Sequence, residues 1–304
     1  MTAMHGSLSE VSVVIPFYGD PQATMPVIDF LLDDGLPASQ IIVTDDESPR
    51  PFPTDYRGVT VTRRTRNGGF GAAVNAGAAL VSTPLMLILN SDVQLPHGFI
   101  RDFFDLSAPW MPAITGPRMV DEDGNESFSA RRFQQPRHHI VEWLSPLVRL
   151  RHLPALHRAV GHDLSAVGEE DTPVDWLVGA CLLVPTDWFH AVGGFDESYH
   201  MNSEEVDLQM RFSLLGLPRV RIGRITLVHE GGGSTDSTLR TLWVTRSRFV
   251  YARKWTNPTV LRLGLTAASA ANAVVNAARR LRNPAVTPFT TLREELSLIS
   301  QASQ

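Results

Sequence analysis

Several acidic groups in this chain stand where a carboxylate could do chemistry. Glu204 and Glu205 sit side by side at the expected start of a helix, directly after His200-Met201-Asn202. One carboxylate beside an attacking hydroxyl can take its proton while the neighbour orients it. The pair also has a structural use, because acids in a first helical turn complement the helix dipole, and Asn202 with Glu205 has the spacing of a capping box. A second constellation is Asp92 with His229, an oxygen and an imidazole ligand on distant loops. Together they could hold a divalent ion that binds diphosphate oxygens and neutralises the charge on a departing nucleotide. The alternative is a lone structural histidine closing the strand Ile225–Val228. The run Gly231-Gly232-Gly233-Ser234 that follows would let backbone approach a ligand closely. Asp45, first of the cluster Asp45-Asp46-Glu47, is the remaining candidate. Spacing by itself leaves each of these open.

These groups need elements that position them. The β-branched run Val11–Phe17 predicts a buried strand that enters a loop near Gly19. A helix follows over Gln22–Leu32, then an apolar strand Gln40–Thr44 ending on Asp45, and a short strand Val59–Thr62. An Ala- and Gly-rich helix, Gly69–Val81, can pack close to a sheet, and Leu85–Leu89 is a strand that stops at Asn90-Ser91-Asp92. Strands alternating with helices imply an α/β fold with a mostly parallel, Rossmann-like central sheet flanked by helices. Ligands of such sheets bind beyond the carboxyl ends of the strands, where Asp45 and Asp92 fall. Ala113–Val120, a turn at Asp121–Asn125 and Glu126–Phe133 predict a hairpin. Gln134–Thr172 carries His138, His139, His152, His157 and His162 without metal-ligand spacing. It is expected as a lid or acceptor-facing insertion with surface histidines. Val174–Val184 predicts a strand, with Pro185 opening a short helix. Ser203–Leu215 predicts a helix with Val206, Met210 and Leu214 on one stripe and Gly216 as its stop. Two more helices are expected over Thr238–Trp255 and Thr259–Leu281.

The 304 residues, 43% hydrophobic and 19% charged, suffice for a sizeable core in one large domain or two smaller ones. Cys181 is the only cysteine, which excludes a disulfide framework or multi-thiolate metal site within one chain and fits a reducing compartment. Met1–Glu10 lacks the basic flank and apolar run of a secretory signal. No apolar stretch approaches the roughly 20 residues that cross a bilayer. A cytoplasmic location is expected. The net charge of −5 is unevenly spread: ten Lys or Arg against Glu294 and Glu295 give residues 237–304 a charge of +8, leaving −13 on the rest. Such a segment is either a surface for anionic partners or a solvated helix face. Expected uses are a peripheral contact at the inner face of the plasma membrane and packing against a second subunit. Nucleic acid is not an expected partner.

In their order along the chain, VSVVIPFYGD, IIVTDDESP, RNGGFGAAVNAG, LILNSDVQL, DWLVGACLLVP, GGFDESYHMNSEEVDLQMR and LVHEGGGST resemble the family 2 glycosyltransferases of the GT-A fold. Within them the likeness is to the bacterial branch of rhamnosyltransferases and galactofuranosyltransferases of cell-surface polysaccharides. It runs from about Val11 to Thr235. The resemblance implies a GT-A domain over 1–236, with a nucleotide-sugar half up to about residue 120 and an acceptor and catalytic half over 121–236. A helical, basic C-terminal extension would take 237–304. The implied activity is inverting transfer of a sugar, such as rhamnose, from a UDP- or dTDP-linked donor to a hydroxyl of a glycan or lipid-linked acceptor.

The resemblance also implies roles for single residues. Glu205 would be the base, with Glu204 beside it. Asp45 would hydrogen-bond the pyrimidine base of the donor, and Pro16, Phe17 and Tyr18 would line the same pocket. Asn67, Gly69, Asn75 and Gly77 would support the donor side, and Ser91 with Asp92 would complete it. Trp176, Gly179 and Ala180 would border sugar and acceptor, and Asp92 with His229 would hold Mg²⁺ or Mn²⁺. Two positions depart from the family pattern. Asn90 replaces the first acid of Asp-x-Asp and is a weaker ligand for a hard cation. Glu205 stands where many relatives have Asp, one methylene shorter. Rival functions are a degenerate sugar-nucleotide or glycan-binding module, motivated by Asn90, and a sugar nucleotidyltransferase. The latter needs a glycine-rich, basic triphosphate loop that Phe17–Pro21 does not supply.

Overall fold

A computed structural model describes residues 8–150, 152–229 and 237–304. The glycine run at 231–234, the first seven residues and the expected boundary at 236 lie outside the described residues. The described elements begin with β1 (Val11–Phe17), α1 (Pro21–Asp33), β2 (Ile41–Asp45), β3 (Thr60–Arg63), α2 (Phe70–Ala78), β4 (Leu85–Leu89) and β5 (Val93–Gln94). Next come α3 (Phe99–Ser107), β6 (Ile114–Val120), β7 (Ala130–Arg131), α4 (Pro136–Trp143), α5 (Pro154–Ala159), β8 (Thr172–Pro173), β9 (Trp176–Leu177) and β10 (Cys181–Pro185). The chain closes with α6 (Thr186–Ala191), α7 (Glu204–Leu214), β11 (Arg219–His229), α8 (Ser237–Trp255), α9 (Pro258–Arg280) and α10 (Pro288–Ala302).

These elements divide into two compact units, one of Met1–Arg131, Ser165–His200 and Glu204–Ser234, the other of Arg132–Leu164, Met201–Ser203 and Thr235–Gln304. The first unit is built on a sheet of order β3-β2-β1-β4-β10-β6-β11-β5, with β8 beside β11. Strands β3, β2, β1 and β4 are mutually parallel, as alternating strands and helices require. The sheet becomes mixed at β10, which runs antiparallel to both β4 and β6, while β6 and β11 are parallel. Both faces are covered at the centre of the sheet, so β1, β2, β4 and β10 are largely apolar and neighbouring residues serve opposite cores. Val13 and Ile15 join Val27, Ile28 and Leu31 of α1 and Phe99 and Phe103 of α3. Val14 and Ile88 join Val74 and Ala78 of α2, Phe189 of α6, and Leu208 and Phe212 of α7. Gly77 lies against the Thr44 and Val14 side chains, which seats α2 directly on β1 and β2.

Local departures from the sequence expectations have physical causes. The turn after β6 forms, with the Asp121 carboxylate accepting from the Asp123 and Asn125 amides. Its return strand does not form: a single bridge joins Val120 to Glu126, and Phe128 at φ 49 turns the chain away. Ala130–Arg131 then pairs with Trp176–Leu177. On α7 the expected apolar stripe holds at Val206, which is buried, and fails at Leu214, which is 69% exposed while Leu208 and Phe212 are buried. The helix also buries Glu204, Asp207 and Gln209, and the partners of Asp207 and Gln209, Arg211 and the Leu177 backbone, offset the cost of taking them from water. Pro185 closes β10, and α6 starts one residue later.

The second unit is helical. Phe249 and Ala252 of α8, Leu261 and Leu265 of α9, and Ile299 and Ala302 of α10 form its core, against Ile140 and Trp143 of α4. Residues 134–164 of the segment expected as an insertion with surface histidines are therefore part of this unit, and His138 and His139 are buried. Asn272, buried in α9, accepts from the Ser145 amide and donates to the Trp143 carbonyl, and the Trp143 indole donates to Ser269 at 3.0 Å. Asn257 caps α9 by accepting from the Thr259 and Val260 amides. Helix α10 was not anticipated from the sequence. Among the described residues no helix is long and apolar enough to cross a membrane.

Burial and the neighbouring Arg248 push the His139 imidazole from its ordinary 6.5 down to about 4, against the opposing pull of Glu142. The folded unit thus keeps His139 neutral where the unfolded chain protonates it, so its stability contribution is full above the unfolded value and is lost as pH falls between the two. Urea unfolding at about pH 5 is expected to show roughly 2 kcal/mol less stability than at neutral pH. His139→Gln should flatten that difference, and an unchanged pH dependence in this variant would contradict the assignment.

Candidate active site

The end of β2 gathers three acids that do different things. Asp45 is 1% exposed, and its oxygens accept from the Ser48 amide at 2.7 Å, the Phe52 amide at 3.0 Å and the Arg63 guanidinium. Ser48 in turn exchanges hydrogen bonds with the Gly19 backbone, tying the loop after β1 to the loop after β2. Asp46 is also buried. Its carboxylate accepts from Arg64, from the Gly68 amide at 3.1 Å and from the Gly69 amide at 2.7 Å, and so fixes the chain just before α2. Glu47, at φ 58, accepts from the Asn67 amide at 2.9 Å, while the Asn67 side-chain oxygen is buried without a hydrogen-bond partner among the described residues.

This junction reaches the start of α7. Gly69 has φ 88, and a Cβ placed on it would lie 1.8 Å from the His200 carbonyl oxygen, so only glycine fits against that backbone. Burial lowers the His200 imidazole, against the raising effects of the Asp46 charge and a hydrogen bond with the Gly68 backbone. Asn75 of α2 holds the preceding turn: it accepts from the Phe195 amide at 2.8 Å and donates to the Phe195 carbonyl at 2.9 Å and to Glu197. Arg211 of α7 donates to the Val192 and Gly194 carbonyls, both at 2.7 Å, and pairs with buried Asp207 at 2.8 Å.

Glu204 and Glu205 open α7, preceded by Asn202 at φ 65 and Ser203 at φ 72. A capping box needs an extended residue at the cap, so this left-handed pair does not form one. Glu204 is buried with its Cβ beside Gly71, and Glu205 is partly exposed. The Glu205 side chain lies along Gly179, where an added Cβ would sit 3.4 Å from the Glu205 Cβ. Gln209, wholly buried, accepts from the Leu177 amide at 2.8 Å and donates to the Leu177 carbonyl at 2.7 Å and to the Glu205 carbonyl at 3.0 Å. It locks the first turns of α7 to β9.

Asp92 and His229 meet, as their positions on adjoining strands require. Val93 of β5 pairs with His229 of β11, and the Asp92 carboxylate lies 3.4 Å from His229 Nε2. Burial pulls the Asp92 carboxyl upward, but the hydrogen bond and charge of His229, its own backbone amide and the Asn90 side chain outweigh this and hold it below the ordinary value. Asn90 is anchored by its amide to the Ala180 carbonyl at 2.9 Å. One ionised oxygen and one imidazole nitrogen, with Asn90 adjacent, suit a borderline cation that takes its remaining ligands from phosphate and water. No third His, Cys, Asp or Glu joins them among the described residues.

The other expected site residues divide between surface and core. Tyr18 is 43% exposed, whereas Phe17 is buried with its ring edge-on to Phe52 at 5.3 Å. Pro16 and Ser91 are partly exposed. Trp176 is buried under the Arg131 guanidinium, and Ala180 is a core residue. Asp46, Arg64, Gln209 and Arg211 were not singled out by the sequence. Only the spacing of Gln209, four residues after Glu205, and of Arg211, four after Asp207, hinted at them.

Residues 12–153 match the family model described as Glycosyl transferase family 2. The chain is 29% identical over 222 residues to the N-acetylglucosaminyl-diphospho-decaprenol L-rhamnosyltransferase of Mycobacterium tuberculosis, an alignment that takes 69% of this chain and 68% of that one. Among solved structures, it resembles GalNAc-T7 with UDP, GalNAc and Mn²⁺, with a TM-score of 0.59, 14% identity, and 86% of this chain against 51% of that one. It also resembles the mannosyltransferase PcManGT of Pyrobaculum calidifontis in complex with GDP-Man and Mn²⁺, with a TM-score of 0.55, 13% identity, and 97% of this chain against 86% of that one.

If Gly69 seats the loop that leads to Glu205, Gly69→Ala should cost about 1–3 kcal/mol in urea unfolding from strain at a left-handed position. It should also lower sugar transfer by about 100-fold, the effect of displacing a reacting group by an ångström. Transfer equal to that of the parent enzyme would show that the Gly69–His200 contact does not position the site.

Proposed function

We propose that this chain, a glycosyltransferase of the GT-A fold carrying a family 2 domain over residues 12–153, transfers a sugar with inversion from a UDP- or dTDP-linked donor to an acceptor hydroxyl. The observation that carries this reading is the placement of Glu205: partly exposed at the first turn of α7, its side chain laid along Gly179 and its backbone carbonyl held by Gln209. A carboxylate so fixed can take the proton from an acceptor hydroxyl as that oxygen attacks the anomeric carbon. The C–O bond to the nucleotide breaks as the new one forms on the opposite face, and the diphosphate leaves. Glu204, buried beside it, shapes that carboxylate's surroundings.

Asp92 and His229, with Asn90, would hold a divalent ion against the donor diphosphate, and Mn²⁺ suits this mixed oxygen and nitrogen pair better than Mg²⁺. Such an ion supplies charge neutralisation for the leaving nucleotide. On the donor side, Tyr18 offers an exposed ring for stacking, and the buried Asn67 oxygen is an acceptor in search of a donor. Asp45 is engaged by Ser48, Phe52 and Arg63, so its part in base recognition runs through Arg63, the half-exposed member of that group. The L-rhamnosyltransferase relative favours a deoxyhexose donor and a lipid-linked acceptor in cell-surface polysaccharide synthesis, close to the membrane.

A thermal-shift panel of UDP-, dTDP- and GDP-sugars with and without Mn²⁺ tests the donor class, because a ligand that binds only the folded state raises its melting temperature. Stabilisation by a pyrimidine nucleotide sugar, strengthened by Mn²⁺ and lost in Asp92→Ala, is expected; a response to GDP-sugars only would overturn the donor class. Glu205→Gln should keep that stabilisation yet lose at least about 100-fold in transfer. Undiminished turnover would rule Glu205 out as the base, and stabilisation without any turnover in the parent chain would mark a binding module instead.

A further inference from the structure

Helix α9 is apolar on two opposite sides. Its inward side, Leu261, Leu265, Ala268, Ser269 and Asn272, is buried in the helical unit. At 3.6 residues per turn, Val260, Leu263, Ala267, Ala270, Ala271, Val274, Ala277, Ala278 and Leu281 fall on one outward stripe about 120° wide. Every one of them is exposed, Leu263 by 66%, Val274 by 72% and Leu281 by 90%. No charged residue occurs between Leu263 and Ala278. The first turn of α10 carries Phe289, 78% exposed. A contiguous exposed apolar stripe on a helix whose opposite side is already packed calls for an apolar partner.

The charges at its ends decide which partner. Arg262 and Arg280 flank the stripe on the same side, about five turns apart, and Arg279 and Arg282 crowd its C-terminal end. Helix α9 carries no acid, and of the two acids on α10 Glu295 is turned inward, within 3.3 Å of the Trp143 indole and the Asn272 amide. A second copy packed on this stripe through α9 would set arginines against arginines in either direction, and α9 offers no carboxylate to answer them. An anionic lipid surface meets both needs, since the apolar stripe can sink to the acyl boundary while the arginines reach headgroup phosphates.

We propose that the outward face of α9, with Leu281 at its tip, is a membrane-docking surface that lies in the interface of an anionic bilayer without crossing it. This deepens the reading of a membrane-proximal transferase but rests on the helical unit, so the two can fail separately. The test is flotation of the full chain with phosphatidylcholine vesicles, with and without phosphatidylglycerol, alongside sedimentation in solution and transfer to a water-soluble acceptor. The expected result is a monomer that floats only with phosphatidylglycerol. Leu263→Glu with Val274→Glu should abolish flotation while leaving transfer to the soluble acceptor intact, both side chains being outside the core. Arg280→Ala with Arg282→Ala should weaken it roughly 25-fold, about fivefold for each basic residue near the surface. Flotation that ignores both pairs of substitutions, no flotation at all, or a dimer that the glutamates dissociate would each overturn the proposal. Loss of transfer in the parent chain would strike the proposed function and leave the docking result standing.

Discussion

The Asp46 carboxylate is the tie on which the site depends. It is buried at the end of a parallel strand, and it spends its lone pairs on Arg64 and on the amides of Gly68 and Gly69. Removing one side of such a buried pair leaves a charge without compensation and costs about 3–5 kcal/mol. The tie sets where α2 begins, and Gly69 sets where the His200 carbonyl can come. Four residues later the chain enters α7 with Glu204 and Glu205. The end of β2, the start of α2 and the start of α7 are thus linked through backbone contacts that tolerate little displacement.

The surroundings of α7 use the same device. Gln209 and Arg211 each satisfy backbone groups of a neighbouring segment, β9 in one case and the Val192–Gly194 turn in the other. Buried polar groups of this kind contribute modest net stability, but leaving one unpaired costs about 1–3 kcal/mol. They therefore narrow the ways in which the helix can sit. Apolar packing through Leu208 and Phe212 supplies attraction without direction, and the polar contacts supply direction.

The parallel half of the sheet was legible because β1, β2 and β4 are continuous apolar runs closed by polar loops, and Asp45 and Asp92 fell at their ends as such folds require. The pairing of Asp92 with His229 across more than a hundred residues came from the order of motifs and is matched by the β5–β11 ladder. What periodicity could not give were contacts that depend on a single backbone angle, such as Phe128 turning the chain out of the expected hairpin. It also missed polar residues that bury with partners, which is why the stripe through Leu214 was wrong and why Asp46, Gln209 and Arg211 passed unremarked. Asp45 stood out for its position, yet its oxygens are committed to Ser48, Phe52 and Arg63. The membership of Arg132–Leu164 in the helical unit was hidden because its short amphipathic pieces acquire meaning only against α9.

The proposed single displacement by an acceptor oxygen, with Glu205 as its base, would leave a stereochemical mark that no binding measurement carries. The direct test is proton NMR of the anomeric centre of the new glycosidic bond in the product formed from a donor of known anomeric configuration. The account predicts a product with the opposite anomeric configuration to the donor. A product that retains the donor configuration would contradict the single displacement and the role given to Glu205.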